Sequence, residues 1–301
     1  MKKNINFVSK FKTANIFSVT IFLISIMFIF FKGLNYGIDF KGGTLIELRT
    51  DNNINATSIR DSLKNMKLGD VNVKKFGKEG DYLIKVEQKQ SNNMKIIPEI
   101  KKKLSNNLNS EIDFRRVENV GPKVSSELLE SSIIAISLAL VAMLFYIWVR
   151  FEWQFSVGSI IALFHDVIIT LGIFSILSLE INLSIIAAVL TIVGYSMNDT
   201  VVIYDRIREN LLKFSKISFS DIANLSINET LTRTIITSVT TLLALFSIFI
   251  LGGEILRGFS FAMILGVVIG TYSSIFVASP VLKSFKVSYK TLEKEEEKIV
   301  P

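Results

Sequence analysis

Six apolar runs, each long enough to cross a bilayer, constrain this chain more than any other feature: 14–31, 131–149, 155–179, 183–204, 231–251 and 258–282. A helix must cover about 30 Å of hydrocarbon, and in lipid a helix satisfies its own backbone polar groups. The pattern therefore predicts a polytopic α-helical membrane protein with six transmembrane helices. Half of the 301 residues are hydrophobic, too many for a soluble chain of this length. The first run follows Lys2, Lys3, Lys10 and Lys12 as a signal peptide would. It is too long for one, however, and Lys32-Gly33-Leu34-Asn35 is no small-x-small cleavage site, so it reads as a retained span.

Charge supplies the orientation. Lysines precede the first run, and Lys283, Lys286, Lys290, Lys294 and Lys298 follow the last. An even number of spans puts both termini on one side, and the lysines place that side in the cytoplasm. The loop 205–230 carries Arg206, Arg208, Lys213 and Lys216 and should be cytoplasmic too, whereas the opposite loops near Glu180 and Gly253 are short and nearly free of basic residues. The net charge of +7 thus reads as topology and not as nucleic-acid binding. The chain has no cysteine and one histidine, which excludes disulfides, thiolate zinc sites and iron–sulfur clusters; no metal and no cofactor is expected.

The polar segment between the first two spans falls outside the cytoplasm, because long domains translocate largely regardless of charge. Alternation predicts strands at 43–49, 71–76, 82–86 and 112–117, helical periodicity predicts helices at 57–66 and 94–108, and Lys78-Glu79-Gly80-Asp81 reads as a hairpin turn. The order βαββαβ is that of the ferredoxin-like α+β fold. The expected plan is a cytoplasmic N-terminus and first span (1–31), an extracytoplasmic domain (32–130), a five-helix bundle (131–282) and a cytoplasmic tail (283–301), whose run 293–298 reads as solvated.

An ionisable side chain within a span costs at least ~2.5–3.5 kcal/mol on insertion scales, so each one needs a reason. Four are present: His165, Asp166, Asp199 and Arg233. On the fourth span Ala187, Thr191, Gly194 and Asn198 share a face, a small-residue stripe that admits another helix closely, and Asp199 sits one position round from it. On the fifth span Arg233, Thr237, Thr240, Thr241 and Ala244 form a polar stripe, with Arg233 at a depth comparable to Asp199. An aspartate and an arginine on consecutive helices could pair as a structural lock, or Asp199 could exchange a proton while Arg233 keeps its charge and responds. On the third span Gly158, Ala162, Asp166 and Thr170 recur at four-residue spacing, so Asp166 faces packed helices or a wet cavity. His165 points about 100° away, with Ile161 and Ile168, as a neutral side chain with one partner or as part of a relay. Ala262, Gly266, Gly270 and Ser274 of the last span read as tight packing without chemistry. The glycines of Gly37-Ile38-Asp39-Phe40-Lys41-Gly42-Gly43-Thr44 do not form a phosphate-binding G-x-x-x-x-G-K-[ST] pattern and fit a turn with unusual backbone angles.

Several segments together resemble the SecF family of protein-export membrane subunits, within the SecD/SecF group of the resistance-nodulation-division superfamily. They are Gly37-Ile38-Asp39-Phe40 with Gly42-Gly43-Thr44, Val120-Gly121-Pro122-Lys123-Val124, His165-Asp166, Gly194-Tyr195-Ser196-Met197-Asn198-Asp199-Thr200, Asp205-Arg206-Ile207-Arg208-Glu209, Thr230-Leu231-Thr232-Arg233-Thr234 and Leu251-Gly252-Gly253. The resemblance implies a non-enzymatic subunit that pairs with SecD beside the SecYEG channel and the SecA motor. It would use the proton gradient to help a translocating polypeptide finish crossing. It also implies that Asp199 and Arg233 are tied to proton movement, with Asn198, Thr200, Asp166, His165 and Thr237 as supporting polar residues and Asp39, Gly42 and Gly43 as a family motif. The alternatives are a proton-driven exporter of a small molecule, lipid or metal, and a purely structural translocon subunit. The first would usually carry both six-helix halves in one chain, and a metal exporter would show external Met, His or Cys clusters.

Overall fold

The computed structural model describes residues 5–51, 54–64, 66, 71–75, 79–86, 96–108, 112–289 and 291–292, with backbone alone at 96, 254 and 255. In chain order, helix α1 (Phe11–Phe31) leads to strand β1 (Asn35–Tyr36), the single turn α2 (Ile38–Lys41) and β2 (Gly43–Arg49). Then come α3 (Ala56–Lys64), β3 (Val71–Lys75), β4 (Asp81–Val86), α4 (Ile96–Leu108) and β5 (Asp113–Val120). The long helices α5 (Pro122–Arg150), α6 (Trp153–Ile176), α7 (Leu183–Lys213) and α8 (Phe219–Leu251) follow, with the short β6 (Glu180–Ile181) between α6 and α7. The last span is built from α9 (Gly253–Ser273), a π-helical turn Ser274–Ala278 and α10 (Ser279–Ser284). Among the described residues six helical stretches are long and apolar enough to cross a membrane, one at each place the hydropathy predicts. Lysines 2, 3, 78, 290, 294 and 298, the expected element ends Phe76 and Met94, and the run 293–298 lie outside the described residues.

The chain divides into two compact units. The smaller, Asn35–Ala135 with Glu180–Leu183, contains the four-stranded antiparallel sheet in the order β3-β4-β2-β5, the ferredoxin-like arrangement. Its core follows from the two periodicities. Ile46 and Leu48 of β2 and Tyr82, Ile84 and Val86 of β4 project from one face of the sheet onto Ile59 and Leu63 of α3 and Ile100 and Leu104 of α4. Burying each such aliphatic side chain contributes about 1.5–3 kcal/mol. One contribution comes from far along the sequence: Asn35 and Tyr36 pair in parallel with Glu180 and Ile181, and Glu180 takes ion pairs from Lys85 and Lys74. Gly42 and Gly43 have φ of +79° and +144°, and a Cβ at Gly43 would lie 2.5 Å from the Val86 carbonyl oxygen, so the expected turn glycines are required by backbone angle and by space.

Half or more of the most apolar stretch of α6, of α7 and of the last span is buried within the chain, against less than a fifth of that of α1, α5 and α8. Gly266 and Gly270 of α9 lie against Ile192 and Ser196 of α7, so the small residues of the last span serve close packing as expected. The segment 205–230 differs from expectation. It is no loop: α7 continues to Lys213 and α8 starts at Phe219, joined by a turn over 214–218. The second span likewise starts at Pro122, nine residues before its apolar run, with proline where its missing N–H costs nothing. Hydropathy marks the lipid-facing length of a helix and is blind to a polar extension. The α7–α8 extension is held by buried Ile207, Leu211, Ile222, Ala223 and Ile227 and by Asn210, which donates to Ser226 Oγ at 2.9 Å and Glu229 Oε2 at 2.8 Å. Ser218 Oγ caps α8 by accepting from the Asp221 amide, a capping signal visible in the sequence.

Candidate functional site

Among the described residues of the larger unit three carboxylates are buried, Glu152 at the start of α6 and, within the spans, Asp166 and Asp199. Asp166, on the α6 face shared with buried Gly158, Ala162 and Thr170, is fully enclosed. Three groups donate to it: Ser196 Oγ of α7 and Ser273 Oγ of α9 to Oδ2 at 2.5 and 2.7 Å, and His165 Nδ1 to Oδ1 at 2.9 Å. The spacing argument puts Asp166 against packed helices or a wet cavity, and its donors come from α6, α7 and α9. It also puts His165 with Ile161 and Ile168, on a face that turns out to be covered only in part. Ile161 is exposed, but the imidazole is buried between the rings of Phe22 of α1 and Tyr272 of α9, each 6.4 Å away. Neighbouring side chains 100° apart still meet because both flex at χ1.

Asp199 of α7 is 3% exposed, and its Oδ2 accepts a hydrogen bond from Thr271 Oγ1 of α9 at 3.4 Å. Thr271 Oγ1 is 2.7 Å from Ser238 Oγ of α8, so a hydroxyl chain runs from Asp199 across α9 to the fifth span. Among the described residues no ion pair within 4.0 Å joins Asp199 to Arg233, and Arg233 is exposed in the isolated chain. The surroundings of Asp199 share that openness. Asn198 is exposed, Thr237 is half-buried and bonded to the carbonyls of Arg233 and Thr234, Ala187 and Thr191 are exposed, and a Cβ at Gly194 would meet nothing within 4 Å. Thr200 is buried and returns its hydroxyl to the Ser196 carbonyl at 3.2 Å. Among the described residues the two stripes read from the sequence, on α7 and α8, are largely exposed, although Tyr195 of α7 reaches Thr241 Oγ1 of α8 at 3.3 Å.

Asp39 belongs to the smaller unit, where its Oδ2 accepts from the Leu183 amide at 2.9 Å. Residue-by-residue reading missed Ser196, Ser238, Thr271 and Ser273. The signal was present in Thr271-Tyr272-Ser273-Ser274, a polar cluster inside an apolar span that ends in a π-helical turn, a distortion frequent at functional sites. Among the described residues no cluster of metal-binding side chains occurs.

A family model described as the C-terminal part of the protein export membrane proteins SecD/SecF matches residues 100–288, and one for the SecD/SecF GG motif matches 28–54, which contains Gly42 and Gly43. The protein translocase subunit SecF of Rickettsia bellii (strain OSU 85-389) is 47% identical over 285 residues, covering 94% of each chain. That of Rickettsia rickettsii (strain Sheila Smith) is 45% identical over 297 residues, covering 97% of this chain and 96% of its own. The crystal structure of SecDF, a translocon-associated membrane protein from Thermus thermophilus, is similar with a TM-score of 0.84 and 35% identity. It covers 94% of this chain but 39% of its own length. A structure of SecDF in a super-membrane-facing form gives a TM-score of 0.71 at 33% identity, covering 99% of this chain and 40% of its own.

Proposed function

This chain belongs to the SecF family of multi-pass membrane proteins, and from that premise we propose that it is the accessory subunit of Sec protein export that couples proton movement to late translocation. The observation that carries the proposal is the buried Asp199 carboxylate beside two largely exposed polar stripes. A chain that spans about two fifths of SecDF and leaves a membrane arginine exposed fits one half of a larger assembly, and the other half would be SecD. In that assembly the stripes of α7 and α8 would be enclosed, and Arg233 with them. The orientation follows the basic ends: a bacterial inner-membrane protein with both termini and the α7–α8 turn in the cytoplasm and the ferredoxin-like domain outside.

Protonation of Asp199 would remove a negative charge from the field of Arg233 and weaken the hydroxyl chain through Thr271 and Ser238. The packing of α7, α8 and α9 would shift, and the external domain would hold an emerging polypeptide against backsliding beside SecYEG and SecA. Asn198, Thr200 and Thr237 serve as supporting polar groups. One charge moved through 100 mV supplies about 2.3 kcal/mol, so two protons approach the ~5.5 kcal/mol that inverts a two-state population without any ATP. A non-enzymatic role follows. The exporter alternative is not favoured, since the relatives named above are translocase subunits. The test is translocation into energised inverted vesicles containing SecD, with Asp199→Asn at equal expression. Loss of the proton-gradient-dependent gain, with normal assembly, is expected; an unchanged gain would make Asp199 a structural residue.

A further inference from the structure

The turn Gly37–Gly43 stands out in the sequence, and neither the buried carboxylates nor the two stripes make use of it. Two helices run unbroken across the division of the chain into units: α5 passes it between Ala135 and Ile136, and α7 between Leu183 and Ser184. Within the smaller unit the turn holds the first residues of both. Ser125 of α5 is buried and donates its hydroxyl to the Ile38 carbonyl at 3.3 Å, and Pro122, which opens α5, has its Cα 3.3 Å from where a Cβ on Gly42 would stand. On α7 the contact is to the helix end itself. Leu183 is its first residue, and the Leu183 amide donates to Asp39 Oδ2 at 2.9 Å. The first amides of a helix have no partner within it, and a carboxylate placed there also meets the positive end of the helix dipole. Asp39 thus caps α7 from 144 residues away in sequence. The residues just before α7 are held at the same place. The Gly37 amide donates to the Ile181 carbonyl at 2.9 Å, Asn35 and Tyr36 pair with Glu180 and Ile181, and Lys85 of β4 binds Glu180.

We propose that Asp39 is a positioning residue: by capping α7 from another element it fixes the start of the helix that carries Asp199, and the turn Gly37–Gly43 is the junction through which a movement of α7 reaches the sheet domain. Asp199 lies on the same unbroken helix, about 24 Å from Leu183 at 1.5 Å per residue. Rigid elements carry coupling over such distances, but helix ends fray. A frayed first turn would absorb a shift that arrives along α7; a capped one passes it to Asp39, and from there along the backbone of the turn into β2, which starts at Gly43. The use of the junction rests on the coupling role proposed above; the cap does not.

The test uses the full chain together with SecD. Asp39→Ala removes the acceptor, whereas Asp39→Asn keeps an oxygen for the Leu183 amide. In hydrogen–deuterium exchange, the first turn of α7 should exchange about five times faster in Asp39→Ala than in the wild type, and near the wild-type rate in Asp39→Asn. In energised inverted vesicles Asp39→Ala should lose the proton-gradient-dependent gain in translocation and Asp39→Asn should keep it, with equal co-purification of SecD. Unchanged exchange in Asp39→Ala overturns the cap. Faster exchange with a full gain in Asp39→Ala, alongside a loss in Asp199→Asn, overturns the junction and leaves the coupling reading standing; a full gain in both overturns both. Loss of the gain in Asp39→Asn as well would mean that the charge of Asp39 acts and not its bond, which also overturns the proposal. If Asp39→Ala does not fold, a disulfide decides. The chain has no cysteine, and Tyr36→Cys with Ile181→Cys puts two thiols on paired positions of β1 and β6. A junction that stays closed tolerates that bond, so the oxidised protein should keep the full gain. A gain lost on oxidation and restored by reduction would mean that β1 and β6 part during the cycle, and the proposal falls.

Discussion

Asp166 and Asp199 lie on neighbouring helices of one bundle, both enclosed, yet the chain treats them differently. Asp166 takes donors from α6, α7 and α9, all supplied by this chain. Asp199 has one long bond from Thr271, and Arg233, Asn198 and Gly194 around it face outward. One site is finished within the chain and the other is half built. A membrane arginine left toward hydrocarbon would cost at least ~2.5–3.5 kcal/mol, so the open site points to a protein surface that covers it, while the closed site needs no partner to be stable.

The largest test of that contrast is Asp166→Leu. It leaves two serine hydroxyls and an imidazole without their acceptor inside the bundle, and the chain alone should lose roughly 3 kcal/mol, since each buried unsatisfied donor costs about 1–3 kcal/mol and the serines recover part by bonding to their own helix. Denaturant titration followed by circular dichroism in detergent measures it, and an unchanged midpoint would mean that the cluster is no anchor. Ser273→Ala, which removes one donor and keeps the carboxylate, should cost about 1 kcal/mol in the same assay.

The contrast was only partly legible in the sequence. The six spans were, because twenty apolar residues have no other economical environment, and so was the sheet domain, because Ile46/Leu48 and Tyr82/Ile84/Val86 alternate strictly. Asp166, Asp199, His165 and Arg233 stood out as charges in apolar surroundings. The donors to Asp166 did not, since a serine in a span is usually satisfied by its own helix and only the fold brings Ser196 and Ser273 to one carboxylate. The polar ends of α7 and α8 were read as a loop because they lack the apolar length that marks a span. The pairing of Asn35–Tyr36 with Glu180–Ile181 joins segments more than 140 residues apart, and no local pattern announces it.

Asp199→Asn should change the stability of the chain alone by less than about 0.5 kcal/mol, because the amide oxygen still accepts from Thr271 and the bond lost in charge assistance is already long. A loss as large as that of Asp166→Leu, by the same titration, would show that Asp199 is as fully integrated as Asp166 and would erase the contrast.

The smallest effect on the chain itself, and the sharpest on assembly, belongs to Gly194→Leu. The position is helical, a Cβ there meets nothing within 4 Å, and leucine is the better helix former by under about 1 kcal/mol, so the chain alone should unfold at the same denaturant concentration or slightly higher. The added side chain would nevertheless stand on the stripe of Ala187, Thr191 and Asn198, where close approach of a second helix depends on small residues. Co-purification with tagged SecD should therefore fall sharply for Gly194→Leu while a leucine at Val268, on an already bulky exposed position of α9, leaves it intact. If Gly194→Leu binds SecD as the wild type does, the face beside Asp199 is turned to lipid, and the exposure of Arg233 needs another explanation than a missing half.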